Sequence, residues 1–381
     1  MSRPTILIAG GGTGGHVFPG LAVADALRAL ADVDVVFAGT ARGLEARVVP
    51  ERGYALELFT VSPMKGGGPR RAIRGALVAG RATWHAVGVV RRLTPHAVLS
   101  IGGYAAGPVS LAAAALRIPI AIVEPNSVVG LANRILAPFA RRGYVAWEET
   151  ARRVGTRKAR VFGVPLRSGF GPRPYEPRGT ARVLVLGGSQ GASALNERVP
   201  EALGRVAKKY PLEVVHQAGR DRVAQVADAF ARAGIEHARV TPFLDDVPGE
   251  MGLADLIIAR SGASTVAEIA AIGRASILIP FPHAADDHQA KNARALERTG
   301  GAVCIEQESA DAARIAREVE RLLGDPALRT RMADAARSRG QPHAAERIAR
   351  DLLALAGIPL APRPAAAPSK ANGRSSPMEV S

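Results

Sequence analysis

Two glycine-rich loops carry the first residues that suggest chemistry. Residues 10–16 read GGGTGGH and residues 187–192 read GGSQGA, and each loop follows a short apolar run and precedes a stretch with helical spacing. A strand, turn and helix start of this kind presents backbone N–H groups to a polar ligand, although glycines can also serve only to make a tight turn. His16 stands where a P-loop carries lysine, and the second apolar run is followed by Gly39 and Thr40 instead of the acidic residue of a dinucleotide site. The loops therefore favour neither ATP chemistry nor NAD binding.

A further candidate site lies in residues 255–273, DLIIARSGASTVAEIAAIG. We expect a strand that ends near Ala259 and a helix from about Thr265 to Gly273. Thr265 and Glu268 have the spacing of a capping box, in which Glu268 would bind the first backbone N–H groups of the helix. Alternatively, the helix N-terminus binds a diphosphate while the Glu268 carboxylate accepts two hydrogen bonds from a ribose diol. The residues alone leave both interpretations open.

Polar side chains are concentrated in residues 283–293, HAADDHQAKNA, directly after an apolar strand and turn. Two aspartates and His288 are residue types that bind metals, but amide side chains stand among them. Gln289 and Asn292 each offer hydrogen-bond donors and an acceptor, which suits sugar hydroxyls. The segment therefore favours sugar recognition over a metal site.

Composition indicates an ordinary globular protein of two domains. The chain has 381 residues, of which 47% are hydrophobic, 22% charged and only 4% aromatic. The one cysteine, Cys304, makes no intramolecular disulfide and fits a reducing compartment, and three glycines interrupt the N-terminal apolar run before it reaches the length of a secretory signal. We therefore expect a cytoplasmic protein. Residues 97–116 are uncharged but rich in glycine and alanine, so they predict a strand, a loop and a helix instead of a membrane span.

Short apolar runs alternate with helical stretches in both halves, as in parallel sheets that helices cover on both faces. Strands are predicted at about residues 5–9, 33–38, 97–101, 118–123, 182–186, 213–216, 238–241, 256–259, 277–279 and 302–305. The proline-rich stretch 163–179 is the expected linker. We therefore divide the chain into domains at residues 1–165 and 166–358, followed by a tail, residues 359–381, whose Pro, Ala and Ser content predicts disorder.

The formal net charge of +16 is concentrated in the first half of the chain. Residues 1–165 hold 21 Lys and Arg against 9 Asp and Glu, and no acidic residue lies between Glu57 and Glu124. Within that interval Arg70, Arg71, Arg74 and Arg81 are interleaved with Ile73, Leu77, Val78 and Trp84. A basic run can be merely solvated, but this pattern suits a peripheral contact with an anionic membrane surface. No nucleic acid partner is expected, because the chain has too few aromatic residues for base stacking.

Nine segments, in this order, resemble the GT-B glycosyltransferases. They are GGGTGGH (10–16), SIGGYAAGP (100–108), EPNSVVGLANR (124–134), FGVPLR (162–167), GGSQGA (187–192), HQAG (216–219), FLDD (243–246), RSGASTVAE (260–268) and ADDHQAKNA (285–293). The resemblance implies an α/β protein with two Rossmann-like, doubly wound parallel-sheet domains that face a cleft. Neither a metal nor a cofactor is implied.

Within that family the resemblance is to the enzymes that extend lipid I, undecaprenyl-pyrophosphoryl-N-acetylmuramyl-pentapeptide. It implies inverting transfer of N-acetylglucosamine (GlcNAc) from UDP-GlcNAc to the 4-hydroxyl of N-acetylmuramic acid (MurNAc), which gives lipid II for peptidoglycan synthesis. It also implies a peripheral enzyme on the cytoplasmic face of the inner membrane, with a part in cell shape and division. The alternative is another UDP-sugar-dependent GT-B enzyme with a different lipid or sugar acceptor.

The resemblance also assigns roles to individual residues. The carboxyl-terminal domain would hold the donor, with the Leu244 backbone at the uracil, Glu268 at the ribose and Gln289 at the GlcNAc hydroxyls. The positions that match the diphosphate-binding part of the pattern are Ser189, Ala263, Ser264, Thr265 and Val266. The remaining donor-binding positions are Thr13, Gly14, Gly15, Asn126 and Arg167.

The acceptor hydroxyl needs a general base, which the family pattern does not identify. We hypothesise that His16 is this base, because imidazole titrates near neutrality, and Glu124 is the next candidate. A buried, structural His16 is the alternative. Two positions depart from the pattern: Pro125 stands where glutamine is common, and His288 stands where some relatives carry a second glutamine.

Overall fold

The computed structural model describes residues 3–60, 69–103, 105–177, 179–188 and 191–362, and residues 69–79 by their backbone alone. These residues form two parallel-sheet α/β units, one after the other along the chain. The prediction of two doubly wound sheets is confirmed. Arg70, Arg71, Ile73, Arg74, Leu77 and Val78, on which the predicted membrane face depends, have side chains outside the described residues, as does the predicted tail from residue 363.

The first unit is built on a sheet of seven strands among the residues described. They are β1 (Thr5–Gly10), β2 (Asp34–Gly39), β3 (Ala55–Leu58), β4 (Ala97–Gly102), β5 (Ile120–Glu124), β6 (Arg142–Val145) and β7 (Ala159–Val161), in the order β3-β2-β1-β4-β5-β6-β7. All the pairs are parallel. The helices of this unit are α1 (Gly14–Leu30), α2 (Glu45–Glu51), α3 (Pro69–Leu93), α4 (Ala106–Ala115), α5 (Leu131–Leu136) and α6 (Glu148–Val154).

Four of these strands were predicted, and β3, β6 and β7 were not. The predicted strands are continuous apolar runs, because their residues are buried on both faces of the sheet. The missed strands have three or four residues and lie toward the edges of the sheet, where the sequences ALEL, RGYV and ARV include polar residues.

Residues 97–116 form β4 and α4, as predicted. The glycine-containing loop between the two elements divides the uncharged stretch. Over the described parts of the chain, every helix is too short or too polar to cross a bilayer.

The second unit has a six-stranded parallel sheet within the described residues. Its strands are β8 (Ala181–Leu186), β9 (Leu212–Gln217), β10 (Arg239–Thr241), β11 (Leu256–Ala259), β12 (Ser276–Leu278) and β13 (Ala302–Cys304), in the order β10-β9-β8-β11-β12-β13. Each of them overlaps a predicted strand. Its helices are α7 (Ser193–Ala207), α8 (Val223–Arg232), α9 (Val247–Leu253), α10 (Ala263–Ile272), α11 (His288–Glu297), α12 (Ala312–Leu323) and α13 (Pro326–Arg337).

The last helix, α14 (Ala344–Ala356), returns to the first unit although its place in the chain put it in the second predicted domain. Ile348 and Leu352 are fully buried in the same core as β1 and α1. Asp351 accepts hydrogen bonds from Arg142 Nε at 3.0 Å and from Tyr144 Oη at 2.8 Å, both on β6. The apolar face of α14 thus connects the two units.

The strand orders locate the site. In each sheet the strand order changes direction at a central pair of strands, which is β1 and β4 in the first sheet and β8 and β11 in the second. The earlier strands are added on one side of this pair and the later strands on the other. Loops at the carboxyl ends of such a pair diverge and leave a crevice for a ligand. Both glycine-rich loops and the loop before α10 lie at these positions.

Candidate active site

Several contacts connect the two units across the cleft. Ser127 N donates to Asn292 Oδ1 at 3.2 Å, and Arg134 Nη2 lies 3.8 Å from Asp286 Oδ2. Arg167, in the segment that joins the units, lies 4.0 Å from Glu268 Oε1 through its Nη2 and 4.8 Å from the Phe18 ring centre through its guanidinium carbon. The segments that the motifs singled out in each half therefore face each other. One wall consists of the loops after β1 and β5, and the other of the N-terminal ends of α10 and α11.

A buried carboxylate from α2 binds the first glycine-rich loop. Glu45, at the start of α2, is 1% exposed, and its Oε2 accepts the Gly12 N–H at 2.7 Å. Its Oε1 accepts hydrogen bonds from Thr40 N at 2.8 Å and from Thr40 Oγ1 at 2.9 Å. The Gly12 N–H is therefore not free for a ligand, in contrast to the open backbone cradle that the sequence predicted.

Thr13, Gly14 and Gly15 form the start of α1 beyond that anchored glycine. Thr13 is the N-cap residue by its backbone, with no capping bond from its side chain, and Thr13 and Gly15 are exposed. Gly14 lies against the Phe18 ring, where a Cβ atom would be 3.1 Å from the nearest ring carbon. The loop thus offers small residues and the exposed Thr13 side chain to the cleft.

His16 lies on the first turn of α1 and is partly buried. Its Nδ1 is 3.3 Å from Thr13 Oγ1, and its Nε2 and Cδ2 edge packs over Gly102, where a Cβ atom would be 3.2 Å from that edge. Burial lowers the pKa of His16 below 6.5, the Glu45 charge opposes this shift, and His288 from across the cleft adds to it. The imidazole is therefore neutral at pH 7, the form that can accept a proton.

Glu124, the second candidate base, is 2% exposed and accepts four hydrogen bonds. Its Oε1 accepts from Asn126 N at 3.1 Å and Asn126 Nδ2 at 3.2 Å, and its Oε2 accepts from Gly130 N at 2.8 Å and Asn133 Nδ2 at 3.0 Å. Burial raises its pKa, and these hydrogen bonds oppose the shift. Because both oxygens are occupied, the geometry favours a role in holding the loop after β5 over the role of base.

Asn126 is fixed in this loop even though Pro125 precedes it. Its side chain binds Glu124, and its carbonyl oxygen accepts a hydrogen bond from Thr150 Oγ1 at 3.1 Å. Its Oδ1 lies 3.5 Å from Asn292 Nδ2, at the outer limit of a hydrogen bond.

Asn292 has a position that the sequence analysis missed. It is fully buried, and besides its contact with Ser127 it donates from Nδ2 to the Ser261 carbonyl oxygen at 3.3 Å. One amide therefore bonds both the loop after β5 and the loop that leads into α10. The sequence marked Asn292 only as an amide suited to sugar hydroxyls, because nothing local indicates a partner 165 residues away.

The capping-box interpretation of Glu268 is wrong. Helix α10 begins at Ala263 with Gly262 as its N-cap, so Thr265 is already inside the helix, and no side chain of the described residues caps its N-terminus. Ser264 Oγ, on the first turn, is buried without a hydrogen-bond partner among the described residues. The first N–H groups of a helix carry a partial positive charge that attracts anions. The end of α10 is therefore suited to a diphosphate.

Val266 is the member of this segment that does not face the cleft. It is 3% exposed, its side chain packs in the core of the second unit, and its N–H donates to Gly262 O at 3.0 Å.

The Glu268 carboxylate lies on the next turn of α10, opposite Arg167, whose guanidinium carbon also lies 4.8 Å from the centre of the Phe18 ring. Burial raises the pKa of Glu268 to about 7, and the Arg167 charge only partly opposes it. Within the described residues, Glu268 is thus a desolvated acceptor with no donor closer than Arg167 at 4.0 Å.

Leu244 and Gln289 lie on the same wall of the cleft as Glu268. The Leu244 side chain is 4% exposed, which leaves its backbone as the part that can meet a base, and Asp246 caps α9 two residues later. Gln289 lies on the first turn of α11, and its Oε1 accepts the Phe281 N–H at 3.1 Å. Asp286 and Asp287, before this helix, both have positive φ, a strained backbone for non-glycine residues.

The second glycine-rich loop is described in part, and Ser189 lies outside the described residues. Gly188 O accepts a hydrogen bond from Gln217 Nε2 at 2.8 Å, at the end of β9. Gly191 has φ of 74°, and a Cβ atom there would lie 2.2 Å from Ala218 O. The loop is therefore shaped by close contact with the HQAG segment, and glycine is required at Gly191.

Comparison with known proteins gives consistent matches. A curated relative from Sorangium cellulosum, named UDP-N-acetylglucosamine--N-acetylmuramyl-(pentapeptide) pyrophosphoryl-undecaprenol N-acetylglucosamine transferase, is 55% identical over 93% of this chain and 89% of its own. A relative of the same name from Acidithiobacillus ferrooxidans is 45% identical over 93% of this chain and 98% of its own. The crystal structure of Acinetobacter baumannii MurG is 32% identical, with a TM-score of 0.77 over 92% of this chain and 99% of that one.

These matches confirm the GT-B architecture, in which both halves contribute to one cleft. Residues 6–145 match the glycosyltransferase family 28 N-terminal domain, and residues 182–348 match the glycosyltransferase family 28 C-terminal domain. The two matched regions include nearly every strand described above. The chain is therefore a glycosyltransferase and belongs to glycosyltransferase family 28.

Proposed function

We propose that this protein transfers GlcNAc from UDP-GlcNAc to the 4-hydroxyl of MurNAc in lipid I, with inversion, and so forms lipid II. The names of the relatives, which match over nearly the whole chain, support this substrate pair. The observation that carries the proposal is the pairing, on one wall, of the uncapped N-terminus of α10 with the buried carboxyl of Glu268. That pair is complementary to a nucleoside diphosphate, which combines an anion with a ribose diol.

On the donor wall, the N–H groups of Ala263, Ser264 and Thr265 neutralise the diphosphate as UDP departs. Helix α10 supplies this charge in a fixed orientation, so the reaction needs no divalent ion at the leaving group. Glu268 accepts hydrogen bonds from the ribose hydroxyls, the Leu244 backbone meets the uracil, and Ser189 completes the diphosphate site. Gln289 recognises the GlcNAc hydroxyls.

On the acceptor wall, neutral His16 removes the proton from the 4-hydroxyl as that oxygen attacks the anomeric carbon. Inversion requires attack from the side opposite the leaving group, and His16 belongs to the unit that faces α10. The donor GlcNAc is bordered on this side by Thr13, Gly14, Gly15 and Asn126. Arg167 lies between the walls, beside Glu268.

We also propose a peripheral contact of the first unit with the cytoplasmic face of the inner membrane. On the described part of α3, Trp84 is 82% exposed and Arg81 and Arg91 are exposed beside it. Aromatic and basic side chains on one helix suit an anionic lipid surface. In this arrangement residues 1–165 bind the acceptor and residues 166–358 bind the donor.

Transfer of labelled GlcNAc from UDP-GlcNAc to a soluble lipid I analogue, with a chelator present and UDP-glucose in parallel, tests the substrates. We expect product with the chelator and only from UDP-GlcNAc. If UDP-GlcNAc binds but no transfer occurs, the acceptor assignment is wrong and another UDP-sugar enzyme of this fold becomes the better interpretation.

Two variants test the remaining parts of the proposal. His16→Gln should reduce turnover at saturating acceptor by at least about 100-fold, the usual contribution of a general base, and a loss below about threefold would refute the base assignment. Neutralising Arg81 and Arg91 should weaken co-sedimentation with anionic vesicles but not with neutral ones, and unchanged binding would refute the membrane contact.

A further inference from the structure

One buried acidic side chain has no part in the reaction as proposed above. Glu45 is 1% exposed, and within the described residues its carboxylate is hydrogen-bonded by the uncharged Gly12 and Thr40. An ionised carboxylate loses much solvation free energy on burial, so a protein retains one only where hydrogen bonds or a specific task compensate. The surroundings of Glu45 supply hydrogen bonds and also indicate a specific task.

Hydrogen bonds hold the carboxylate between two loops. Oε1 binds the backbone and hydroxyl of Thr40, just after β2, and Oε2 binds the Gly12 N–H in the loop after β1. The bond to Gly12 spans 33 residues of sequence, so Glu45 ties the glycine-rich loop to the neighbouring strand. His16 lies four positions after Gly12, on the first turn of α1, which follows this anchored loop directly.

Three glycines leave the space that the Glu45 side chain occupies. A Cβ atom would lie 2.2 Å from Glu45 Cδ at Gly11, 2.4 Å from its Cγ at Gly39 and 2.1 Å from its Oε2 at Gly43. Contacts this short do not occur between real Cβ atoms and other heavy atoms, so each position excludes every larger residue unless Glu45 moves. The glycines of three separate segments thus enclose one carboxylate.

We propose that Glu45 is a positioning residue for the transfer reaction: it fixes the loop that presents His16 and places a negative charge in the same unit that acts on this imidazole as it takes the proton. This inference rests on the proposed role of His16 as the base. It extends that role to a residue which never contacts substrate.

The charges around His16 give the direction of the effect. Glu45, on α2, favours the protonated imidazole, whereas His288, on α11, and burial both disfavour it. The first turn of α1 itself contains no acidic residue, and the neighbours from the same loop and from β4 are the uncharged Thr13 and Gly102. Without the Glu45 charge only the opposing effects remain, so His16 would become a weaker base.

Glu45→Gln removes the charge and nearly preserves the volume. We expect kcat to fall by about tenfold or more, the acidic limb of the pH profile of kcat to move to lower pH, and the KM for UDP-GlcNAc to change less than about twofold. Glu51→Gln, on the exposed face of the same helix, is the matched control and should leave both kcat and the pH profile unchanged.

Thr40→Val separates the two halves of the proposal, because it removes one hydrogen bond to Glu45 but keeps the charge. It should lower kcat without moving the acidic limb, and thermal unfolding of each variant verifies that the fold persists. An unchanged kcat and pH profile in Glu45→Gln would overturn the proposal. If His16→Gln itself has no effect, the base assignment fails. In that case, a loss of kcat in Glu45→Gln without a shift of the pH profile supports the proposal that Glu45 fixes the loop and overturns the proposal that its charge acts on His16.

Discussion

Glu268→Gln should make the protein more stable while it weakens donor binding. Burial raises the pKa of Glu268 from 4.5 to about 7. A rise of this size means that the folded protein carries the ionised carboxyl at a cost of about 3 kcal/mol relative to the unfolded chain. Because the side chain is 15% exposed and Arg167 lies 4.0 Å away, water and that charge reduce the cost. We expect a gain of about 1–2 kcal/mol in the free energy of unfolding at pH 8.

The difference in unfolding free energy between Glu268→Gln and the wild type should depend on pH. An acid with a raised pKa in the folded state costs nothing below pH 4.5, where it is protonated in both states. The cost grows between pH 4.5 and about 7 and stays constant above. The variant lacks it, so its advantage over the wild type should be near zero at pH 4.5 and complete at pH 8.

Donor binding should change in the opposite direction. Hydrogen bonds to a charged acceptor contribute about 1.5–3 kcal/mol each, and the neutral amide retains only part of them. A loss of about 2–3 kcal/mol raises the KM for UDP-GlcNAc by roughly 30- to 150-fold, with a smaller effect on kcat. The result would show that the enzyme sacrifices stability at this position for recognition of the ribose.

Urea unfolding at the two pH values and initial rates at varied UDP-GlcNAc measure both effects. Glu236→Gln, at an exposed position in the second unit, is the control and should change neither quantity. Equal stability of Glu268→Gln and wild type at pH 8, together with a KM within about threefold of wild type, would refute the reasoning.

Three further changes test other contacts. Asn292→Ala removes the amide that bonds both walls of the cleft, so kcat should fall about tenfold while the protein stays folded; an unchanged kcat would show that the bridge is dispensable. Gly191→Ala places a methyl group against Ala218 O at positive φ and should cost about 3 kcal/mol in urea unfolding; a cost below about 1 kcal/mol would contradict this geometry. Burial lowers the pKa of His216 to about 3, so the wild type should lose about 2–3 kcal/mol between pH 6.5 and 4.5 that His216→Gln does not lose; parallel pH curves for the two proteins would argue against it.

The strands of both sheets were largely predictable from local sequence. Strands that are buried on both faces are continuous apolar runs, and each of those predicted in this way is present. The short strands β3, β6 and β7 were missed, because their pairing depends on the neighbouring strand more than on their own hydrophobicity. The start of α10 was also misplaced, since Gly262 caps it through its backbone and leaves no side-chain signal.

The candidate site was predictable where its motifs are local, and not where its partners come from distant segments. His16, Glu268 and Gln289 stand in motifs that the sequence displays directly. Glu45 stands outside every quoted motif, and only the structure shows that three glycine positions enclose its side chain. Asn292 was noted for its chemistry but not for its position between the two units.

The sequence by itself determined most of the strands and loops, the division into two similar halves and the polar motifs that lie at the cleft, because these follow from local hydrophobic periodicity and motif. Only the tertiary structure decided which polar groups are already occupied. The Gly12 N–H binds Glu45, both oxygens of Glu124 accept hydrogen bonds, and the start of α10 has no side-chain cap in the part of the chain that the structure describes. Hydrogen-bond partners and desolvation depend on how distant segments pack, and no local pattern encodes them.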